Sequence, residues 1–443
     1  MSLSSSKVFP RKLKGALPLA SRAEGVWIYD DTGKRYLDAS GGAVVVNLGH
    51  GRQEIARAVH DQIMTCHYAH PTMFTTAPVE ELAQALARHT PPELSRFYFQ
   101  TSGAEAVETA IKLARQIHLE HGRPQRARLI ARWQSYHGLT LGALAATGRT
   151  SFRTPYAPLL GEVHHIPAPY CLRCAFGLKH PSCDLRCAQA LEEAIQNIGW
   201  QTVSAFLAET VSGATIAAVP PPPGYWPRVR EICDRYQVLL IQDEVMCGLG
   251  RTGRWLASEH YDVLPDILTL GKGLSGGTLA LSAVATLERH FAAIRDGGGV
   301  FMHGGTYSHH PVAAAAGCAA IGILEREKLV ERVAEMGPFL GRLLSATLAD
   351  HPHVAQVRGL GYLWGVEFVA DKRTLRPFPR DQQVTERLWQ ALFDQGLITY
   401  KSTALAGIDG DALVLAPPFV AGDQELEFIV DVLNQVVAEV LGA

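Results

Sequence analysis

The chain predicts an α/β fold: a large domain with a mostly parallel central sheet covered by helices, and a smaller α+β domain assembled from both chain ends. Three observations carry this expectation. From about residue 78, short apolar runs at 96–99, 128–131, 203–208, 238–241, 267–270 and 280–284 alternate with helical stretches, as strands joined by crossover helices do. Ahead of them, runs at 26–29 and 35–38 flank Asp30-Asp31-Thr32-Gly33, a hairpin signal, and a helix is expected to start near Gln53. After about residue 332 come a long helical segment, the stretch 354–359, a strand at 363–368, a helix over 382–395 and two late strands. The expected division is residues 1–60 for the N-terminal part of the small domain, 61–332 for the large domain, and 333–443 for the C-terminal part of the small one.

With 443 residues, 47% of them hydrophobic, the chain can bury the cores of two or three domains. Its 41 basic and 43 acidic residues leave a formal charge of −2, and no basic block suggests a nucleic-acid footprint. The apolar stretches are broken by Gly, Pro or charge before reaching the length of a membrane span. Lys7, Arg11, Lys12 and Lys14 precede no apolar signal segment, so a cytoplasmic location is expected.

The most informative residue is Lys272. It lies in the turn Gly271-Lys272-Gly273, directly after the apolar run 267–270, and Asp243 ends another such run. An amine and a carboxylate presented at strand ends suit a cofactor that carries an aldehyde on a pyridine ring. The amine forms a Schiff base, and the carboxylate keeps the ring nitrogen protonated.

Other strand ends carry fitting groups. Thr101-Ser102-Gly103-Ala104 precedes a helix whose start would meet an anion with free N–H groups and the Ser102 hydroxyl, although an ordinary N-cap reads the same way. Tyr136, in Ser135-Tyr136-His137-Gly138, can stack on a flat ring or pack in the core. Glu209 ends the run 203–208. Strand alternation is expected to put Asp243 and Val245 on one side, with Val245 on the ring face opposite Tyr136. Ligands of open α/β sheets sit at the carboxyl ends of strands, where Ser102, Tyr136, Glu209, Asp243 and Lys272 all fall.

The strings TSGAEAVETAIKLAR (101–115), SYHG (135–138), DEVMCGLGRTG (243–253), LGKGLSGG (270–277), GTYSHHP (305–311) and APPF (416–419), with WIYDDTGKRYLD (27–38), cover most of the chain. In these the chain resembles the class III (omega) aminotransferases, pyridoxal 5'-phosphate (PLP) enzymes of fold type I, the aspartate aminotransferase-like fold. The resemblance implies a role for each matching residue. Lys272 would carry the cofactor and shuttle protons, Asp243 would pair with the pyridine nitrogen, and Tyr136 would stack on the ring with His137 close by. Ser102, Gly103 and Ala104 would hold the phosphate. Val245 would cover the other ring face, and Glu209 would help position the region of the ring hydroxyl. Thr306 would reach the phosphate of a neighbouring subunit, because the family forms homodimers or tetramers with shared active sites.

The implied reaction moves an amino group from an amine or omega-amino acid donor to a keto acid such as pyruvate or 2-oxoglutarate. The same cofactor set would also serve an amino-acid racemase or a dialkylglycine-type decarboxylase. Several relatives place a carboxylate-binding arginine just before Ala-Pro-Pro. Here Val414-Leu415 precedes Ala416-Pro417-Pro418, and residues 401–411 hold no arginine. Arg149 or Arg153 could substitute, Trp27, Tyr29 and Trp133 could line a pocket, and the tandem His309-His310 could narrow the entrance. A catalytically silent protein of the same fold is disfavoured by the presence of both Lys272 and Asp243. A nucleotide-binding module would want a richer glycine loop than Ser102-Gly103-Ala104.

Eight cysteines include a cluster, Cys171, Cys174, Cys183 and Cys187. The spacing is compatible with a structural metal site, a redox clip, or four reduced thiols in a large loop.

Overall fold

The computed structural model describes residues 7–442 apart from 12, 14 and 16, so Lys12 and Lys14 lie outside the described residues. Its centre is a seven-stranded sheet. In spatial order the strands are Arg96–Gln100, Ser282–Thr286, Ile267–Leu270, Leu239–Asp243, Val203–Glu209, Arg128–Arg132 and Val163–Ile166. Ser282–Thr286 runs antiparallel to both of its neighbours, and the strands from Ile267–Leu270 to Val163–Ile166 pair in parallel.

The inner strands Val203–Glu209, Leu239–Asp243, Ile267–Leu270 and Ser282–Thr286 are buried on both faces, which explains why they read as apolar runs, whereas the edge strands are partly exposed. Alternate residues feed different cores. Ala205, Leu207, Leu239 and Ile241 pack with the helix Gly103–Glu120, whereas Phe206, Ala208, Val238 and Leu240 pack with the helices Arg186–Ile198 and Tyr225–Tyr236. Each fully buried Leu, Ile or Val contributes about 1.5–3 kcal/mol relative to exposure. The helix Gly103–Glu120 meets the sheet through Ala106, Val107, Ala110, Leu113, Ala114 and Ile117, at helical spacing.

The N-terminal segment shares a core with the C-terminal one: Val26, Leu37, Leu48 and Ile55 pack in the cluster that holds Val366, Phe368, Leu388, Leu413 and Leu433. Ala20–Glu24, Trp27–Asp30 and Arg35–Asp38 form antiparallel pairs, and the short strand Leu397–Ile398 joins Arg35–Asp38 in parallel. A second four-stranded sheet orders Val354–Leu360, Leu363–Phe368, Asp409–Leu415 and Tyr400–Ala406, all antiparallel. The expected strand at 280–284 is shifted: Ala280 and Leu281 are apolar but precede the ladder, which runs over Ser282–Thr286.

The cysteine segment is held by charge. Glu367, fully buried, accepts from Arg173 Nε at 2.6 Å, from the Tyr170 hydroxyl, and pairs with Arg358 at 2.7 Å. The four clustered thiols are free, and among the described residues no group of three or more His, Cys, Asp or Glu is placed to hold a metal ion. Among the described residues no helix is long and apolar enough to cross a membrane.

Candidate active site

The carboxyl ends of the parallel strands open on one cavity of about 530 Å³. The register places Glu209, Asp243 and Thr269 side by side across three neighbouring strands. Asp243 is nearly buried, and its carboxylate is fixed by three donors. Oδ1 accepts from Thr269 Oγ1 at 2.9 Å and from the Val245 N–H at 3.0 Å, and Oδ2 accepts from His137 Nδ1 at 2.7 Å. The strand ends at Asp243, so Val245 reaches the cavity through the following turn rather than by strand alternation as expected.

Lys272 opens a short 3-10 turn, Lys272–Ser275, and holds the left-handed backbone at φ +44. That region is uncommon for a side chain other than Gly, Asn or Asp, and tight surroundings must sustain it. Part of that support is visible at Gly273, where a Cβ would come within 2.6 Å of Asn47 Nδ2. Burial lowers the Lys272 pKa, against the nearby charges of Asp243, Glu209 and Cys247, which favour the ammonium form. A neutral amine is the nucleophilic form.

Ser102 caps the helix Gly103–Glu120. The Glu105 N–H donates to Ser102 Oγ at 3.3 Å, and the Glu105 carboxylate receives the Ser102 N–H at 3.0 Å. The N-cap is therefore real, and the cavity still borders Ser102, Gly103 and Ala104. The first N–H groups of any helix lack intrahelical acceptors. The approach is close: a Cβ on Gly103 would lie 2.7 Å from Val245 Cγ1, and one on Gly138, at φ +131, would lie 2.5 Å from Ala104 Cβ. The cup needs glycine at both positions.

Of the residues expected at the site, Ser102, Gly103, Ala104, Tyr136, His137, Glu209, Asp243, Val245 and Lys272 all line the cavity. Thr306 does not. It is exposed in the turn before the helix Pro311–Arg326. Two buried polar atoms of the site have no partner among the described residues: His137 Nε2 and Glu209 Oε2. Burial raises the Glu209 carboxyl, with His137 and Arg132 opposing. A polar ligand rich in acceptors and donors, with an anionic end at the helix start, fits this set of groups, as PLP is.

Three expectations about the pocket edge are redirected. Arg153 donates to the carbonyls of Leu144, Ala145 and Thr147 and so closes the end of a helix. Trp133 stacks on His165 at 4.4 Å, and neither it nor Trp27 or Tyr29 lines the cavity. His310 caps the helix Pro311–Arg326, with Ala313 N–H at 3.4 Å from its Nδ1. His309 packs edge-on against Tyr98 at 4.5 Å, and burial pushes its pKa down to about 4. Thr269 and Tyr400 went unmarked in the sequence, and Arg11 was read only as one of the basic residues near the N-terminus. Thr269 could have been found as the residue level with Asp243 on the next strand. Arg11 and Tyr400 come from the two chain ends, and no local signal marks them.

The model of the class-III aminotransferase family matches residues 9–437. An uncharacterized aminotransferase of Bacillus subtilis, YodT, is 39% identical over 98% of each chain. The putrescine–pyruvate aminotransferase of Pseudomonas aeruginosa is 35% identical over 97% of this chain and 92% of its own length. The crystal structure of a thermostable (S)-enantioselective omega-transaminase from Thermomicrobium roseum superposes with a TM-score of 0.93, at 36% identity, over 99% of this chain and 97% of that one. The chain belongs to the class-III aminotransferases, enzymes that depend on pyridoxal 5'-phosphate.

Proposed function

We propose that the protein transfers an amino group from an amine or omega-amino acid to a keto acid such as pyruvate or 2-oxoglutarate, with Lys272 as the residue that carries the cofactor. The observation that carries this reading is the convergence of Lys272, with its depressed pKa, and Asp243, with its three fixed donors, on one cavity. Relatives support the donor and acceptor classes: one is named for putrescine and pyruvate, and one from Halomonas elongata for diaminobutyrate and 2-oxoglutarate. The names of these relatives favour transamination over racemisation or decarboxylation.

When bound, PLP supplies an electron-accepting pyridinium ring. Asp243 would hold the proton on the ring nitrogen, and His137 and Thr269 keep that carboxylate aimed. Tyr136 would lie on one ring face and Val245 on the other. Glu209, its Oε2 lacking a partner, would meet the ring hydroxyl region. The N–H groups of Gly103 and Ala104, with Ser102, would take the phosphate. Lys272 Nζ, whose burial favours the neutral amine, would hold the cofactor aldehyde and, when free, would take up and return a proton at the substrate carbon beside the nitrogen. Residues 61–332 form the cofactor-holding unit in this reading, and 1–60 with 333–443 form the unit beside it. Thr306, exposed in one chain, is assigned to the phosphate of a second subunit in a homodimer or tetramer.

The test is a donor screen of the PLP-loaded protein, read as loss of the absorbance band of lysine-bound cofactor and its return on adding pyruvate or 2-oxoglutarate. A band that no donor discharges would overturn the proposal.

A further inference from the structure

We infer that Arg149, with Arg11 beside it, receives a carboxylate several bonds away from the reacting carbon, so that the enzyme selects omega-amino acids and dicarboxylic keto acids; the inference rests on the transaminase reading above. Arg149 is half-buried, and its Nη2 donates to Thr403 Oγ1 at 2.9 Å. Its guanidinium carbon sits 4.6 Å from the centre of the Phe152 ring, and that of Arg11 lies 5.4 Å from the same centre. Phe152 in turn meets Tyr136 edge-on at 6.1 Å. One aromatic ring therefore joins the two cations to the residue assigned to the cofactor ring.

The two arginines also line a second hollow of about 460 Å³, which shares Arg11 and Tyr400 with the Lys272 cavity. Arg11, Arg149 and Lys401 supply its positive charge, and Glu386 is the one carboxylate among its lining residues. Glu386 is already engaged by Arg380, whose Nη1 lies 3.0 Å from it. Among the described residues no carboxylate forms an ion pair with Arg149 or Arg11. The charged neighbours felt by Arg149 are Arg11 and Arg380, with the Tyr400 and Tyr136 phenols, and burial lowers its pKa.

A half-buried guanidinium facing other cations is costly unless an anion arrives. Its planar fork matches a carboxylate, and the Thr403 bond and the Phe152 ring hold that fork in place. The loop 401–411 carries no arginine that could do this instead. Arg149 borders the second hollow but not the Lys272 cavity itself, so it suits a distal carboxylate rather than that of pyruvate.

The test is calorimetric titration of PLP-loaded protein with glutarate, a dicarboxylate with neither amine nor keto group. Arg149→Met is expected to weaken glutarate at least about tenfold, with Arg149→Lys in between. In steady state, Arg149→Met should raise the KM for 5-aminopentanoate at least about tenfold more than that for pentylamine. Retention of the cofactor band reports folding. Should Arg149→Met fail to fold, Arg149→Lys and Thr403→Val carry the same titration, each expected to bind glutarate more weakly. Equal glutarate affinity in wild type and variants, or no binding to wild type, overturns the inference. Failure of the transaminase reading shows separately, as a wild-type band that no amine discharges while the glutarate titration stays readable.

Discussion

The two ends of the central sheet hold buried carboxylates in opposite circumstances. At the amino end of Ile267–Leu270, Asp266 is fully satisfied. Oδ1 accepts from Arg289 at 2.9 Å and His290 at 3.0 Å, and Oδ2 accepts from Arg230 at 2.8 Å and the Leu240 N–H at 2.9 Å. Burial alone would raise this carboxyl, but the His290 bond, the Arg230 charge and the Leu240 N–H outweigh it and hold it well below the ordinary range. At the carboxyl end of the sheet, burial raises Glu209 and lowers Lys272, and Glu209 Oε2 and His137 Nε2 stay without partners. At the amino end both carboxylate oxygens are met by opposite charge or N–H, and the unpartnered atoms, Arg230 Nε and His290 Nδ1, sit on its partners. The carboxyl end keeps polar groups out of water and incompletely matched, which natural folds sustain where a ligand completes the set.

Substitutions at the two ends should separate activity from stability. The largest effect is expected from Lys272→Ala, which should lower kcat by more than about 10³-fold and remove the lysine-bound absorbance band, while dialysed protein retains some PLP through the helix start. Wild-type-like turnover would refute the role of Lys272. Asp243→Asn should cost on the order of 10²-fold in kcat, with PLP retention measured alongside; a thermal shift without loss of rate would make Asp243 structural. At the opposite end, Asp266→Ala should destabilise by about 3 kcal/mol, because Arg230 and His290 lose their buried partner, and kcat of the folded fraction should stay within about twofold. Denaturant unfolding and active-site titration would read the two quantities.

The smallest effect concerns Glu244, next to Asp243 but turned away from the cavity. Burial pushes its carboxyl up to about 7, against bonds from the Ala257 and Ser258 N–H groups and the Thr210 hydroxyl. A carboxyl raised in the folded state stabilises it most below the ordinary value of 4.5, and that contribution is lost as pH rises through about 7. Glu244→Gln should remove a pH dependence on the order of 2 kcal/mol between those limits, seen as a flatter plot of Tm against pH; an unchanged slope would exclude Glu244 as its source.

Much of the cavity was legible because its groups follow strand ends. Lys272, Asp243, Glu209 and Ser102 each close an apolar run, and parallel strands bring such ends to one edge. Tyr400 and Arg11 were not legible, since only the packing of both chain ends against the sheet brings them to the site. Val245 lines the cavity, but a turn rather than strand alternation brings it there. The cysteine spacing left a metal, a redox clip and reduced thiols open, because spacing says nothing of whether four thiols converge; the described thiols are free, and Glu367 with its arginines secures that segment. The tandem His309-His310 read either as a narrowing of the entrance or as a neutral loop substitution, and in the structure one packs on Tyr98 and the other caps a helix.

The parallel pairing of Leu397–Ile398 with Arg35–Asp38 sets a timetable for synthesis. The first strands leave the ribosome long before the segment that completes their sheet and their core. Until then Leu37, and Trp27 packed beside it, lack the C-terminal part of their core, which is the circumstance in which exposed apolar surface invites aggregation. A circular permutant that joins the two termini would shorten that wait.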